Sequence, residues 1–161
     1  MKDVLCINRR KAEKLLLELL FDDEDRMIWD YGTEDETFYG TTHFLFQCPD
    51  QLFFLDGCRF FNHVDLHDLT DPKQIKSELN FVGVTKLKDQ DKYVSVFKFW
   101  TKDINDMKKI YVRSKYIDFY NMDFCRFWYS VKNRTVIITS EHENDIIGLV
   151  SPIKSAEGVE F

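Results

Sequence analysis

The feature that most constrains the fold is the run from Lys108 to Lys154. It contains IYVRSKYIDFYN, then FCRFWYS, then TVIITSEHENDIIGLVSPIK. In FCRFWYS, an extended chain puts Cys125, Phe127 and Tyr129 on one side and Phe124, Arg126 and Trp128 on the other. The run predicts a strand, a short helix and three strands, ending in an apolar stretch that stops at Pro152.

The rest of the chain supports a β-rich reading. It carries 15 Phe, 7 Tyr and 3 Trp against 6 Gly and 3 Pro, a balance that suits packed sheets rather than disorder. Val4 to Ile7 reads as a strand, and Asn8 as the cap of a helix over 9–21. Ala12, Leu15, Leu16, Leu19 and Leu20 share one face of that helix. Strands are expected over 26–31, 38–48 (with Gly40 as a bulge) and 51–55, and a strand or strand-to-helix passage over 59–64, with a hairpin turn at Asp56-Gly57. Residues 65–79 read as a connection. Beyond it, strands are expected over 80–87, 92–100 and 107–112, the second of these central because it is apolar on both faces. Ser114 is placed to cap a helix over 115–121, and strands follow over 124–131, 135–139 and 145–150.

Both halves then read as strand, capped helix and antiparallel strands. The expected class is α+β, with one domain over 1–154, halves of about 1–64 and 80–154, and a frayed tail at 155–161. A chain of 161 residues buries roughly 70% of its unfolded surface, so it folds without a metal or disulfide. The opening residues lack the long apolar core of a signal peptide, and no stretch has the length of a membrane span. Cys6, Cys48, Cys58 and Cys125 lack close-paired spacing, and Cys6 and Cys125 sit inside strand-like runs. The expectation is small buried thiols in a reducing cytoplasm. Asn133-Arg134-Thr135 fits the glycosylation pattern but has no secretory context.

The duplicated pattern resembles a domain of the bacterial DNA sliding clamp. IYVRSKYIDFYN is similar to the clamp's strand-into-helix motif. TVIIT, an acidic loop and IIGLVSPIK are similar to its closing hairpin. Thr41-Thr42-His43-Phe44-Leu45 resembles its threonine–glycine–histidine strand, with Thr42 where a small residue would stand. The resemblance implies a clamp-like fold of the kind carried singly by phages and mobile elements. It also implies that the two helices present Arg9, Arg10, Lys11, Lys14, Arg113 and Lys115 on one surface, where they would touch phosphates without reading sequence.

Charge bears on the same helix. Arg9, Arg10, Lys11 and Lys14 oppose the positive end of a helix dipole, and Asp22, Asp23, Glu24 and Asp25 oppose its negative end. One reading of the basic start is a solvated face; the other is a site for phosphate or for an acidic partner. The net charge of −6 argues against a generic nucleic-acid coat but allows a local basic face.

Catalytic and metal chemistry have weaker footing. His63 and His67 are four apart with Cys48 and Cys58 upstream, but structural zinc sites use closer cysteine pairs. Cys58 with His63, or Ser140 with His142, lacks a nucleophile elbow, and no glycine-rich phosphate loop occurs. The sequence therefore predicts a non-catalytic protein, without cofactor, that acts on DNA-processing machinery by contacting DNA or a DNA-handling protein. The expected partner is a protein of DNA replication or host defence, with non-specific DNA contact and self-association as further options and no membrane. The alternative is an acidic inhibitor of a nucleic-acid-binding defence protein, of the anti-CRISPR kind, acting through Asp22 to Asp25; an enzyme ranks third.

Overall fold

In a computed structural model the described residues are 6–20, 29–32, 37–41, 43–47, 79–101, 105–131, 134–141 and 146–153. Among them 61% lie in strands and 20% in helices. Helix α1 spans Arg9–Leu20. The strands are β1 (Trp29–Gly32), β2 (Thr37–Gly40), β3 (Phe44–Gln47), β4 (Leu79–Asp89), β5 (Lys92–Thr101), β6 (Asp106–Arg113), β7 (Cys125–Ser130), β8 (Thr135–Ser140) and β9 (Ile146–Val150).

The strands form two antiparallel sheets. The larger has the order β1-β2-β3-β9-β8-β7, and the smaller is the meander β4-β5-β6. β3 pairs with β9, joining the first and last thirds of the chain at the middle of the larger sheet. The small sheet leans on β7. Phe81 and Phe97 lie 5.0 and 5.1 Å from the ring of Phe127, and Phe99 lies 6.1 Å from Tyr129. These tilted contacts avoid the unfavourable face-to-face arrangement of ring quadrupoles while burying the rings.

Asn8 caps α1 as its sequence position predicts: its Oδ1 accepts from the Lys11 N–H at 3.2 Å. Ala12, Leu15 and Leu16 then sink into the same core as Phe97 and Phe127. Cys6 and Cys125 are buried thiols, as expected. β7 alternates as its sequence does, with Cys125, Phe127 and Tyr129 buried. β5 is the central strand of its sheet.

The α+β class is corrected: the protein is mainly β. The strand–helix–strands repeat fails in its second copy, because Ser114 does not cap an α-helix. Ser114–Tyr116 is one 3-10 turn, followed by a second at Met122–Phe124. The reason lies in partners from elsewhere in the chain: Tyr116, Ile117, Phe119 and Tyr120 are all buried in the common core. The backbone also has another partner. The Asn8 N–H donates to the Phe119 carbonyl at 2.6 Å, and the Asn121 N–H to the Cys6 carbonyl at 2.7 Å. The Ser114 hydroxyl instead shares a 2.7 Å hydrogen bond with Ser95 inside the core.

Two smaller expectations change. The strand read over 38–48 is a hairpin of β2 and β3, and Gly40 marks its corner rather than a bulge. A Cβ there would collide with the Phe44 carbonyl, and the Thr41 N–H closes the turn onto that carbonyl at 2.9 Å. The opening strand is represented by an isolated bridge from Ile7 to Tyr120; Val4 and Leu5 lie outside the described residues. So do the strands expected over 51–55 and 59–64, the Asp56-Gly57 hairpin, nearly all of the 65–79 connection, Thr42 and the tail.

Candidate nucleic-acid interface

The sequence candidates divide. Arg9, Arg10, Lys11 and Lys14 are placed on α1, whose first turn is exposed and holds no acidic residue. Arg9 is engaged locally, its Nε donating to Glu13 at 2.9 Å. The two backbone bonds to Phe119 and Asn121 set the start of α1 beside the 114–121 segment. On that segment Lys115 is exposed, its Nζ 5.1 Å from the centre of the Tyr116 ring. Arg113 does not join them. It follows buried Val112 on β6 and lies on the opposite face of the small sheet, in a row with Val94 and Leu87.

That outer face has a chemistry of its own. Strand pairing arranges it in rows about 6.8 Å apart along the strands. The rows are Leu87–Val94–Arg113, Thr85–Val96–Tyr111, Gly83–Lys98–Lys109 and Asn80–Trp100–Met107. Lys98 and Lys109 stand directly opposite one another on neighbouring strands. Like charges in that relation destabilise a sheet, so folding alone disfavours the pair. In the neighbouring row Val96 is buried. β4 shifts register between Phe81 and Gly83, and a Cβ on Gly83 would meet nothing within 4 Å. Trp100 and Tyr111 are half-buried, and Met107 is exposed. No carboxylate falls in these rows.

The same sequence logic explains the face. Along VFKFW, alternation sends Phe97 and Phe99 into the core, and so turns Lys98 and Trp100 outward. In KKIYVR, Ile110 and Val112 go inward, turning Lys109, Tyr111 and Arg113 outward. Sequence reasoning misses these outer positions as a site because the pairing of Lys98 with Lys109 depends on the register of β5 against β6. The alternation itself is the available signal.

A cleft of about 410 Å³ opens on the other side of β4, floored by Phe81, Val84, Ile117 and Phe127. Its polar groups are engaged within the chain. Lys86 Nζ donates to both carboxylate oxygens of Asp118 at 3.2 Å. Ser95 bonds Ser114, and the Tyr120 hydroxyl donates to the Leu45 carbonyl at 3.3 Å. Burial holds the Tyr120 phenol well above its usual pKa. Burial first, then the neighbouring Cys6 thiol, pushes Cys125 up to about 12. Cys125 is therefore a protonated thiol rather than a nucleophile at neutral pH.

Asp22, Asp23, Glu24 and Asp25, the metal candidates Cys48, Cys58, His63 and His67, and His142 beside Ser140 all lie outside the described residues. Among the described residues, no helix is long and apolar enough to cross a membrane. Comparison of the chain with protein-family models, curated proteins and solved structures finds no match, so the sliding-clamp resemblance rests on the quoted motifs alone.

Proposed function

We propose that this is a non-catalytic binding protein that contacts nucleic-acid phosphates and serves as an accessory factor to DNA-processing machinery. The observation that carries the reading is segregated charge. On a chain of net charge −6, cations gather on the first turn of α1 and on the small sheet. β4 to β6 carry Lys86, Lys88, Lys92, Lys98, Lys108, Lys109 and Arg113 against Asp89 and Asp106. Lys92, Lys98, Lys109 and Arg113 share one face of that sheet, and Lys86, Lys88 and Lys108 the other, where Lys86 is paired with Asp118. A local basic patch attracts a polyanion despite the overall charge. Contacts of this kind position a backbone without selecting a sequence.

The test is anisotropy of labelled oligonucleotides titrated with the protein over a salt series. Binding is expected at low salt, with log K falling linearly against log salt. Reversing Arg10, Lys11, Lys14 and Lys115 to Glu is expected to weaken duplex binding and to reduce the slope by about 0.9 for each phosphate no longer neutralised. A wild-type protein without salt-dependent binding contradicts the proposal.

A further inference from the structure

We infer that the outer face of the small sheet is a seat for an unpaired nucleic-acid strand, with Trp100 as a stacking platform and Lys98 and Lys109 as its phosphate contacts. The inference rests on the nucleic-acid reading above and narrows it to single strands at a second place on the molecule.

Three observations converge on this face. Lys98 and Lys109 confront each other in one cross-strand row. A phosphate between them would turn a repulsion into two attractions, which gives the unfavourable pair a use. The adjoining row presents Trp100 beside exposed Met107, and the row beyond the lysines presents Tyr111. Aromatic and cationic rows thus alternate across four rows without a carboxylate, Asp89 entering only in the row beyond Leu87. That is the combination that holds bases by their faces and the backbone by charge. Gly83, opposite Lys98, leaves the approach to the lysines open.

A duplex suits this surface poorly. Its bases are stacked on one another and cannot reach a ring on a sheet, whereas an unpaired strand offers base faces to it. An acidic peptide would satisfy the lysines but has no comparable use for the indole. The face therefore fits a single strand better than an acidic partner.

The experiment compares oligothymidine with a duplex of equal length by anisotropy, for wild type, Trp100→Ala, Trp100→Phe and the Lys98→Gln, Lys109→Gln pair. Oligothymidine is expected to bind more tightly than duplex. Trp100→Ala is expected to lose about tenfold on oligothymidine and little on duplex, with Trp100→Phe in between. Should Trp100→Ala not fold, Trp100→Phe and the lysine pair decide. The lysine pair is expected to lower the single-strand salt slope by about 1.4. The same change is expected to raise the melting midpoint by about 1–2 °C, because a like-charge pair is removed. A binding loss with a stability gain separates a site from a structural role.

Several results overturn the inference. Unchanged oligothymidine binding in the Trp100 and lysine variants, with loss only in the α1 reversal, removes the sheet face and leaves the broader proposal standing. Polyglutamate that competes as well as oligothymidine makes the face a dock for an acidic protein. Absence of salt-dependent binding to either oligonucleotide removes both readings together.

Discussion

At the residue scale, Gly148 and Tyr120 hold the seam between β3 and β9. The Tyr120 hydroxyl reaches the Leu45 carbonyl across the space that a side chain at position 148 would fill. Gly148→Ala would drive a methyl group into that phenol. The expected cost is about 1–3 kcal/mol, read as a lower urea midpoint. Burial of Cys125 gives a pH dependence whose sign follows from linkage. Its thiol is raised from 9.0 to about 12 in the folded protein, so the unfolded chain loses that proton first. Alkali therefore favours unfolding. The stabilising contribution is intact below about pH 9, where the unfolded thiol titrates, and is lost progressively toward about 12. Urea midpoints measured across that window are expected to fall, and Cys125→Ala is expected to flatten the fall. An equal alkaline slope in that variant contradicts the assignment to this thiol. Tyr120 acts in the same direction above its ordinary range, so some slope remains in the variant.

At the element scale, α1 is legible in the sequence because its cap and its stripe are both local signals. Asn8 stands three residues before the N–H it caps, and Ala12, Leu15 and Leu16 recur at helical spacing. Asn8→Ala is expected to cost about 1 kcal/mol of stability by denaturation, through loss of that cap. A variant with unchanged stability would show that the buried leucines alone hold the helix. The 114–121 segment is not legible in the same way. Ser114 looks like a cap, but its hydroxyl is committed to Ser95, nineteen residues away in sequence. Phe119 and Asn121 are committed to Asn8 and Cys6, from the other end of the chain. Helix propensity loses here to long-range bonds that no local window contains.

At the scale of the whole molecule, alternation determines which side chains of β5, β6 and β7 enter the core, and that much can be read from the residues. Which strands become neighbours cannot. β3 meets β9 from opposite thirds of the chain, and Lys98 meets Lys109 only through the register of β5 against β6. The basic candidates on α1 are visible as a charge run, while Arg113 belongs to a different face. That division leaves two proposed places for a polyanion: the helix start beside Lys115, and the outer face of the small sheet. The mainly β architecture serves the second by burying Phe97, Phe99, Ile110 and Val112 beneath it, so that the basic rows stand on a packed support.

The most direct measurement is chemical-shift mapping of isotope-labelled protein titrated with oligothymidine. Salt-sensitive changes are expected at the backbone amides of Val96 to Trp100 and Met107 to Arg113, together with the indole N–H of Trp100. Changes confined to other surfaces, or none at low salt, would contradict a nucleic-acid seat on the small sheet.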